Sequence, residues 1–442
     1  MRDNSLSCTI NCDALLCFGS RTLSLLASLN KKLKLPSHDL PLGDKTSERI
    51  SYFSAQPGWV DIQILASGWK YEWFQITEVR DDAISYLQFI SGNNPPLVID
   101  SALNFLCRQF STESSLKIDL NDQFYTFVKS RVKLKKVVRN GYAFLTSSGE
   151  LYFYLGDAET SSKYTNYIRL DTFVKDVACT QDKLVYIDSK GQLFGLDFTD
   201  ASKKERSSSP KPYSIETLKI DKLICVGGNE GQIVSFKKIE SGNLHFLALN
   251  IQGEIYSWGS PRFGETGHGD ILQCTMPKRN LALAGIPIKD ISCGSFHSAA
   301  LSEAGDVYTF GLNKYGQLGR ESEEFSEATA QSYGLPELIN FKSQGEEDPD
   351  VTHVRCGPYH TLIMDGKGQV WGAGSNESEQ LQCHNDEYNF SLPLYLINFN
   401  KEKRIPTFVP LATHIPRQPD ECRVAYLEAG YSTSFFGFKK GT

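Results

Sequence analysis

Apolar and polar positions along this chain alternate with a period of two in short runs, and glycine marks where the runs end. The clearest stretch is 291–319, ISCGSFHSAALSEAGDVYTFGLNKYGQLG. Ile291, Cys293 and the segments 298–301 and 307–310 supply the small, β-branched and aromatic residues that suit strands. The sequence 303–306, Glu-Ala-Gly-Asp, predicts a tight connection in which Gly305 is free to take positive φ. Gly311, Gly316 and Gly319 mark where the chain leaves the sheet. The pattern recurs from 354 as VRCGPYHTLIMDGKGQVWGAGSN, and eleven positions separate both Gly294 from Gly305 and Gly357 from Gly368. A repeat at fixed spacing predicts stacked units that share a continuous core.

Two elements alternate along the chain. One is an inner pair of strands around a small-residue–glycine turn. The other is a tag strand, a glycine followed by an apolar alternation. An incomplete tag opens the chain at 15–20, followed by a short amphipathic helix at 22–34 and a polar loop at 36–57. Inner pairs are expected at 62–76, 137–146, 177–187, from Leu223 returning through 244–249, and in the two units quoted above. Tags are expected at 83–90, 149–156, 191–198 and 253–260. The stretch 91–122 reads as an irregular connection. Polar insertions fall near 36–57, 202–212, 321–349 and 383–419. A last inner pair at 424–438 has no tag, and the tag at 15–20 has no inner pair. Joining them closes a ring and removes the open edges of an array. The expectation is an all-β chain, a seven-bladed β-propeller closed by its N- and C-terminal strands, with 1–442 as a single domain.

Composition narrows the classes. The chain of 442 residues is 40% hydrophobic, 12% aromatic and 22% charged, as globular domains are. A net charge of −6 argues against a general nucleic-acid binder, which needs a basic face. No apolar run reaches the roughly 18 residues that span a bilayer, and no leader peptide is read at the start. Eleven cysteines without a dense framework fit a reducing cytoplasm or nucleus.

The residues Cys293-Gly294 with His297, 305–308 (Gly-Asp-Val-Tyr), Gly311 and 316–319 (Gly-Gln-Leu-Gly) resemble the repeats of the regulator of chromosome condensation family. Cys356-Gly357 with His360, 368–371 (Gly-Gln-Val-Trp) and Gly374 do so again. Trp258, Gly259, Gly264 and Gly267 extend the match over 247–376. Elsewhere the repeats are degenerate: Cys179 is followed by Thr180 and Gln181 with no glycine. The layout is most similar to the small single-propeller members. The resemblance implies a propeller that holds a partner protein. Partners in such families include a Jumonji-type demethylase, the small zinc protein that serves tRNA wobble modification and diphthamide synthesis, and a Ran-like small GTPase. For the GTPase the implied activity is guanine-nucleotide exchange.

Candidate chemistry is weighed against structural explanations. Cys293 with His297 and Cys356 with His360 invite a zinc reading, but the pairs lie a repeat apart. Ala66, Cys179, Cys225, Cys293, Cys356 and Ala429 align at one repeat position that wants a small apolar residue. No metal and no cofactor is expected. His297 and His360 have no recurring nucleophile or carboxylate beside them, so a hydrogen bond to a neighbouring blade or turn is the better expectation, and no catalytic residue is assigned. The glycine clusters 227–231 and 264–269 lack the following helix that a phosphate loop needs. Gly294, His297, Gly305, Gly357, His360 and Gly368 are read as structural repeat positions. Trp69, Tyr142, Phe296, Tyr359 and Tyr431 recur beside the turn glycines, and Glu321, Glu323 and Glu324 stand in an acidic loop. Together these are the candidate partner face. Ser207, Ser208 and Ser209 before Pro210 are a candidate phosphorylation segment in a basic linker.

Overall fold

The computed structural model describes strand backbone between 14 and 440. It describes side chains chiefly over 143–153, 169–197, 220–225, 234–320, 331–339, 349–381 and 403–411, with single buried positions in the last two strands. The chain is all β. Seven sheets occur among the described residues: five of four strands, one of six and one of three. Each four-stranded sheet is an antiparallel meander laid out from the inside of the ring to its rim. The fifth unit runs Ile288–Cys293, His297–Ser302, Val307–Leu312 and Ser332–Leu338. No helix among the described residues is long and apolar enough to cross a membrane.

The second strand of each central blade is buried along its whole length, with an apolar middle, because both sheet faces are covered. In His245–Asn250 every residue is buried. Successive side chains point to opposite faces. Phe246 and Ala248 therefore join Val185, Ile187 and Trp258 between this blade and the preceding one. Leu247 and Leu249 join Ile291, Ala300 and Phe310 toward the next. The core is thus a series of slabs, each shared by two neighbours.

Ring closure follows the pairing that the two orphan elements predict. Ala14–Gly19 pairs antiparallel with Thr433–Lys440, with Leu15 opposite Gly437 and Phe18 opposite Ser434. On its other side the same strand pairs with Tyr71–Val79. The hairpin read at 62–76 therefore extends the closing sheet instead of opening a blade of its own. An apolar alternation specifies which face of a strand is buried, not which sheet the hairpin joins. The tag read at 83–90 contributes Leu87–Phe89 to the three-stranded sheet, with Val98–Asp100 and Asn104–Leu106. The stretch 36–57, read as loop, contains Glu48–Ile50, paired to Ile62–Ile64. The helix read at 22–34 and the linker 202–212 lie outside the described residues.

Two further readings are corrected. The inner strand of the fourth blade is Phe236–Ser241, not the segment starting at Leu223. Leu223 instead follows the outer strand Ile220–Lys222, its N–H donating to the Leu193 carbonyl at 2.9 Å. The sequence FKKIES hides its role because only Phe236 and Ile239 enter the core. The segments 321–349 and 383–419, read as insertions, supply the outer strands Ser332–Leu338 and Arg404–Pro410. These strands, with Cys274–Arg279, contain Pro336, Pro406 and Pro277, which read as breakers. Proline is tolerated there because the outermost strand owes no hydrogen bonds on its free side, and it blunts an edge that would otherwise recruit further strands.

Closure generates a stability prediction. Removing residues 1–19 takes out a strand paired on both sides and leaves two open edges. The melting temperature should fall by at least about 5–10 °C, with a broadened transition, in calorimetry. A melt that remains cooperative at the same temperature would contradict the closing role.

Candidate functional site

One end of the ring is built from two sets of connections: the turns between first and second strands, and the connections between third and fourth strands. In each central blade the first turn carries glycine and, three residues on, histidine: Gly242 and His245, Gly294 and His297, Gly357 and His360. The glycine is required by a close approach. A Cβ on Gly294 would sit 2.1 Å from the His297 Cε1 and 2.6 Å from the Gly357 carbonyl oxygen. All three histidines are fully buried.

Each histidine reaches into the following blade. His245 Nε2 lies 2.9 Å from Ser298 Oγ, and His297 Nε2 lies 2.9 Å from Thr361 Oγ1. His360 Nε2 stands 3.5 Å from Ser434 Oγ in the closing sheet. Each hydroxyl in turn donates back across the boundary, to the carbonyl of Glu265, Gln317 or Gln380 at 2.8, 2.7 and 2.7 Å. The hydroxyl proton of Ser298 and of Thr361 is thereby committed, so His245 and His297 donate from Nε2–H. Among the described residues their buried Nδ1 atoms find no hydrogen-bond partner. Burial accordingly holds both imidazoles neutral, with pKa values lowered to about 3. The turns are also chained by backbone: Asn243 N–H donates to the Ser295 carbonyl and Ser295 N–H to the Pro358 carbonyl, both at 3.1 Å.

The second set of connections is braced internally. The Glu265 carboxylate is fully buried and accepts from the N–H groups of Arg262 and Phe263. Burial raises its pKa, and those backbone donors offset part of the rise. Gln317 takes the same place in the next blade, accepting from Tyr315 N–H at 2.8 Å. This bracing presents aromatic rings across blade boundaries. Phe263 meets Phe296 edge-on at 5.5 Å, and Tyr315 meets Tyr359 at 5.2 Å. All four are half-buried, with the exposed Arg262 and Lys314 beside them. Lys314 Nζ lies 5.3 Å from the Tyr315 ring centre.

The innermost strands carry a separate charged cluster. Each of six inner strands has a register shift near its start, after the first pair at Lys136, Asp176, Lys238, Asp290 and His353 and after the third at Tyr426. Such a bulge re-aims the side chain. Asp290 is the hub. It accepts from Lys238 Nζ of the preceding blade at 2.5 Å and from Arg355 Nη1 of the following one at 2.8 Å. Lys238 also donates to the Ile291 carbonyl and pairs with Glu240 at 3.3 Å. Burial alone would raise the Asp290 pKa, but the Lys238 and Arg355 cations more than reverse this and hold it well below the usual carboxylate range. Burial opposes the charge on Lys238, and Asp290 with Glu240 overcomes it, raising its pKa.

The residues singled out in sequence are placed as follows. Gly305 and Gly368 sit in turns at the opposite end of the ring, with φ of +92° and +85°. Phe296 and Tyr359 belong to the face just described. Trp69, Tyr142, Tyr431, Glu321, Glu323, Glu324 and the serines 207–209 lie outside the residues whose side chains are described. Cys179, Cys293 and Cys356 end their inner strands and are buried. Burial pushes the Cys356 thiol up to about 12 and the Cys293 thiol well above its ordinary value. Cys225 does not share that position; Ser241 holds it in the fourth blade, its Oγ donating to the Cys179 carbonyl at 3.0 Å. Among the described residues no group of three His, Cys, Asp or Glu is placed to hold a metal ion. His245 carries a weak signal in sequence although Gly242 precedes it at the repeat spacing, because the strand before it, FKKIES, is largely polar and ends in Ser241 where the neighbouring blades have cysteine. The Lys238–Asp290–Arg355 cluster carries no local signal, since its members lie a blade apart.

Two predictions follow from these contacts. Asp290→Ala removes the carboxylate that two largely buried cations share and should cost about 3–5 kcal/mol in denaturant unfolding, whereas the triple change Lys238→Met, Asp290→Leu, Arg355→Met should recover most of that loss. Equal destabilisation by the triple variant would show that the cluster matters otherwise than through charge. The histidines set an acid dependence. Their folded pKa lies below the unfolded value of about 6.5. Their contribution is therefore complete above pH 6.5 and is lost progressively as pH falls toward 3. Between pH 6.5 and 5, above the range where ordinary carboxylates titrate, the urea midpoint should fall, and His245→Gln with His297→Gln should flatten that slope. An unchanged slope in the double variant would contradict the assignment.

Comparison with known proteins follows the same boundaries. The Regulator of chromosome condensation (RCC1) repeat matches 252–301 and 304–364, and a second description of it matches 236–265, 288–317 and 351–380. Protein RCC2 homolog of Xenopus laevis is 33% identical over 181 residues, 40% of this chain and 33% of its own length. E3 ubiquitin-protein ligase HERC2 of Homo sapiens is 35% identical over 152 residues, 34% of this chain and 3% of its own. Ultraviolet-B receptor UVR8 of Arabidopsis thaliana is 29% identical over 240 residues, 54% of this chain and 50% of its own. The chain thus spans half or less of the length of these relatives. The crystal structure of Prp20p from Saccharomyces cerevisiae, described with its binding to Gsp1p and histones, superposes over 99% of this chain and 93% of its own, with a TM-score of 0.58 at 16% identity. The three Gly-x-x-His turns lie within the stretch 236–380 that matches Regulator of chromosome condensation (RCC1) repeats, and the fold around them is similar to that of the Prp20p structure.

Proposed function

We propose that this chain is a non-enzymatic propeller scaffold that holds a partner protein on the face bearing the Gly-x-x-His turns. The observation that carries this reading is the pair of half-exposed aromatic contacts, Phe263 with Phe296 and Tyr315 with Tyr359, held across blade boundaries by the histidine latches. Rigid aromatic anchors with neighbouring cations are what protein interfaces use. The histidines of this face support a non-catalytic reading, since they are buried and spent on the next blade. A regulatory or accessory role, chromatin-linked or in tRNA and diphthamide modification, fits such a scaffold. Prp20p, described as binding histones, favours the nucleus as its compartment.

Nucleotide exchange on a Ran-like GTPase is the second reading, favoured by the likeness in fold to a protein described as binding Gsp1p. Exchange requires the complex to favour the empty GTPase, and the bracing of the described loops is directed at their own backbone. Two measurements decide. Cross-linking followed by mass spectrometry on the chain purified from its own cells should place a protein partner on Lys314 and its surroundings, and Phe263→Ala with Tyr315→Ala should abolish those links. Release of a fluorescent GDP analogue from a Ran-like GTPase should be unchanged by the chain; acceleration of about a hundredfold would replace the scaffold reading with exchange.

A further inference from the structure

The connections between third and fourth strands differ from blade to blade at one buried position. Glu265, Gln317 and Gln380 stand at matching places, and all three are buried. Gln317 accepts from Tyr315 N–H at 2.8 Å, and an amide does not ionise. Glu265 is fully buried and accepts from Arg262 N–H at 3.0 Å and Phe263 N–H at 2.7 Å. A buried carboxylate without a paired cation is costly, and an amide would accept the same bonds without that cost. The backbone on either side is pinned. Ser260 N–H donates to the Leu244 carbonyl at 2.8 Å, and the Thr266 carbonyl accepts from Ser257 Oγ at 2.6 Å. Between these anchors the carboxylate gathers the N–H groups of the two residues that bring Phe263 against Phe296.

The groups facing Glu265 leave its own proton as the variable. In its connection, Arg262 is exposed and favours the charge, His268 Nε2 lies 3.2 Å from the Ser257 carbonyl, and Asp270 accepts from Leu272 N–H. From the fourth blade's second strand, His245 stands behind Ser298 as a neutral ring. From the fifth blade come Ser298, whose Oγ donates to the Glu265 carbonyl, and Gly311, where a Cβ would lie 3.2 Å from the Glu265 Cβ. That blade's outer strand meets the connection at Gly334, and its Glu337 is paired with Arg320. Among the described residues no cation forms an ion pair with Glu265. Burial therefore outweighs the backbone donors and Arg262, and raises its pKa. With the closed value above the open one, closure is fully supported below the open value of about 4.3 and is weakened as pH rises through the closed value.

We infer that Glu265 is a proton-dependent catch on the partner face. Neutral, it keeps the connection 260–267 closed with Phe263 seated against Phe296. Ionised, it favours an opening of the connection that lets the carboxylate meet water. The inference rests on the scaffold reading above and adds regulation to the same face. Its sign is opposite to that of the histidine latches, which weaken toward acid, so the two effects are separable.

The test is hydrogen exchange of the full chain between pH 5 and 8, read by mass spectrometry on peptides covering 260–267 and 312–319. Rates are corrected for the intrinsic pH dependence of amide exchange. In the parent, protection of 260–267 should fall about tenfold or more across that range. Glu265→Gln should hold it high and flat, and 312–319, where Gln317 stands, should be flat in both chains. Gln317→Glu should transfer the dependence to 312–319. If a thermal melt shows either variant unfolded, the comparison of the two connections within the parent decides. The inference is overturned if 260–267 in the parent is no more pH-dependent than 312–319, if folded Glu265→Gln retains the dependence, or if folded Gln317→Glu does not acquire it. Such failure with cross-links still centred on Lys314 would remove the catch and leave the scaffold. Loss of those cross-links with the pH dependence intact would remove the scaffold reading and keep the catch.

Discussion

The constraint on which this structure depends is that no blade can bury its own faces. A twisted four-stranded sheet presents two apolar surfaces, and in a ring each is covered only by the neighbour. The slab shared by Leu247, Leu249, Ile291 and Phe310 has no meaning within either blade alone. Stability in such an arrangement is a sum of nearest-neighbour terms that closure makes continuous. Hence the strands 14–19 and 433–440 pair, although almost the whole chain lies between them. The apolar slabs are non-directional, and would tolerate small slips of one blade on another. The directional bonds across the boundaries of the central blades are what define the angle there: the imidazole-to-hydroxyl latches at the rim of one face, and the Asp290 cluster along the innermost strands.

These two kinds of bond obey different electrostatic rules. The latch is neutral throughout: an Nε2–H, a hydroxyl and a carbonyl, each with modest net worth of about 1 kcal/mol. Its cost is a bare Nδ1 in each of His245 and His297, tolerable because an unprotonated ring is already the favoured state there. The Asp290 cluster is charged, and burying it is favourable only while every member is present. Lys238, Asp290 and Arg355 come from three successive blades, so the cluster reports whether all three are seated. A well-packed apolar set would hold the blades as tightly but would not discriminate against a shifted register.

Legibility in the sequence followed burial. The second and third strands of each blade were readable because they are apolar on both faces, as in HFLALN and VYTFGL, with a glycine turn between them. The innermost strand was readable where it ends in Cys-Gly, and unreadable in the fourth blade, where Ser241 holds the place and the bulge aims Lys238 at Asp290 of the next blade. The outer strands were illegible because the rim demands little of them: SYGLPEL and RIPTFVP are half-exposed and interrupted by proline, which sequence logic assigns to loops. Of the candidate face, Phe296 and Tyr359 were legible from their place beside the repeat glycine. Their partners Phe263 and Tyr315 were not, since a ring contact across a blade boundary leaves no trace in local spacing.

The histidines carry a lesson about reading repeated polar residues. A histidine recurring beside a cysteine at fixed spacing invites metal or catalytic chemistry, and both require a lone pair or proton free for another molecule. Here the ring is laid on a glycine with no room for a Cβ, and its Nε2 proton is committed to the following blade. The residue is repeated because the boundary is repeated. What varies from blade to blade along the neighbouring connections between third and fourth strands is therefore the better guide to function. Arg262 and Phe263 in one connection, Lys314 and Tyr315 in the next, and Glu377 at the corresponding point after the sixth blade's third strand differ while the latch beneath them stays the same. A scaffold that holds its blades by an invariant internal bond is free to change the side chains above it without altering the angle at which they are presented.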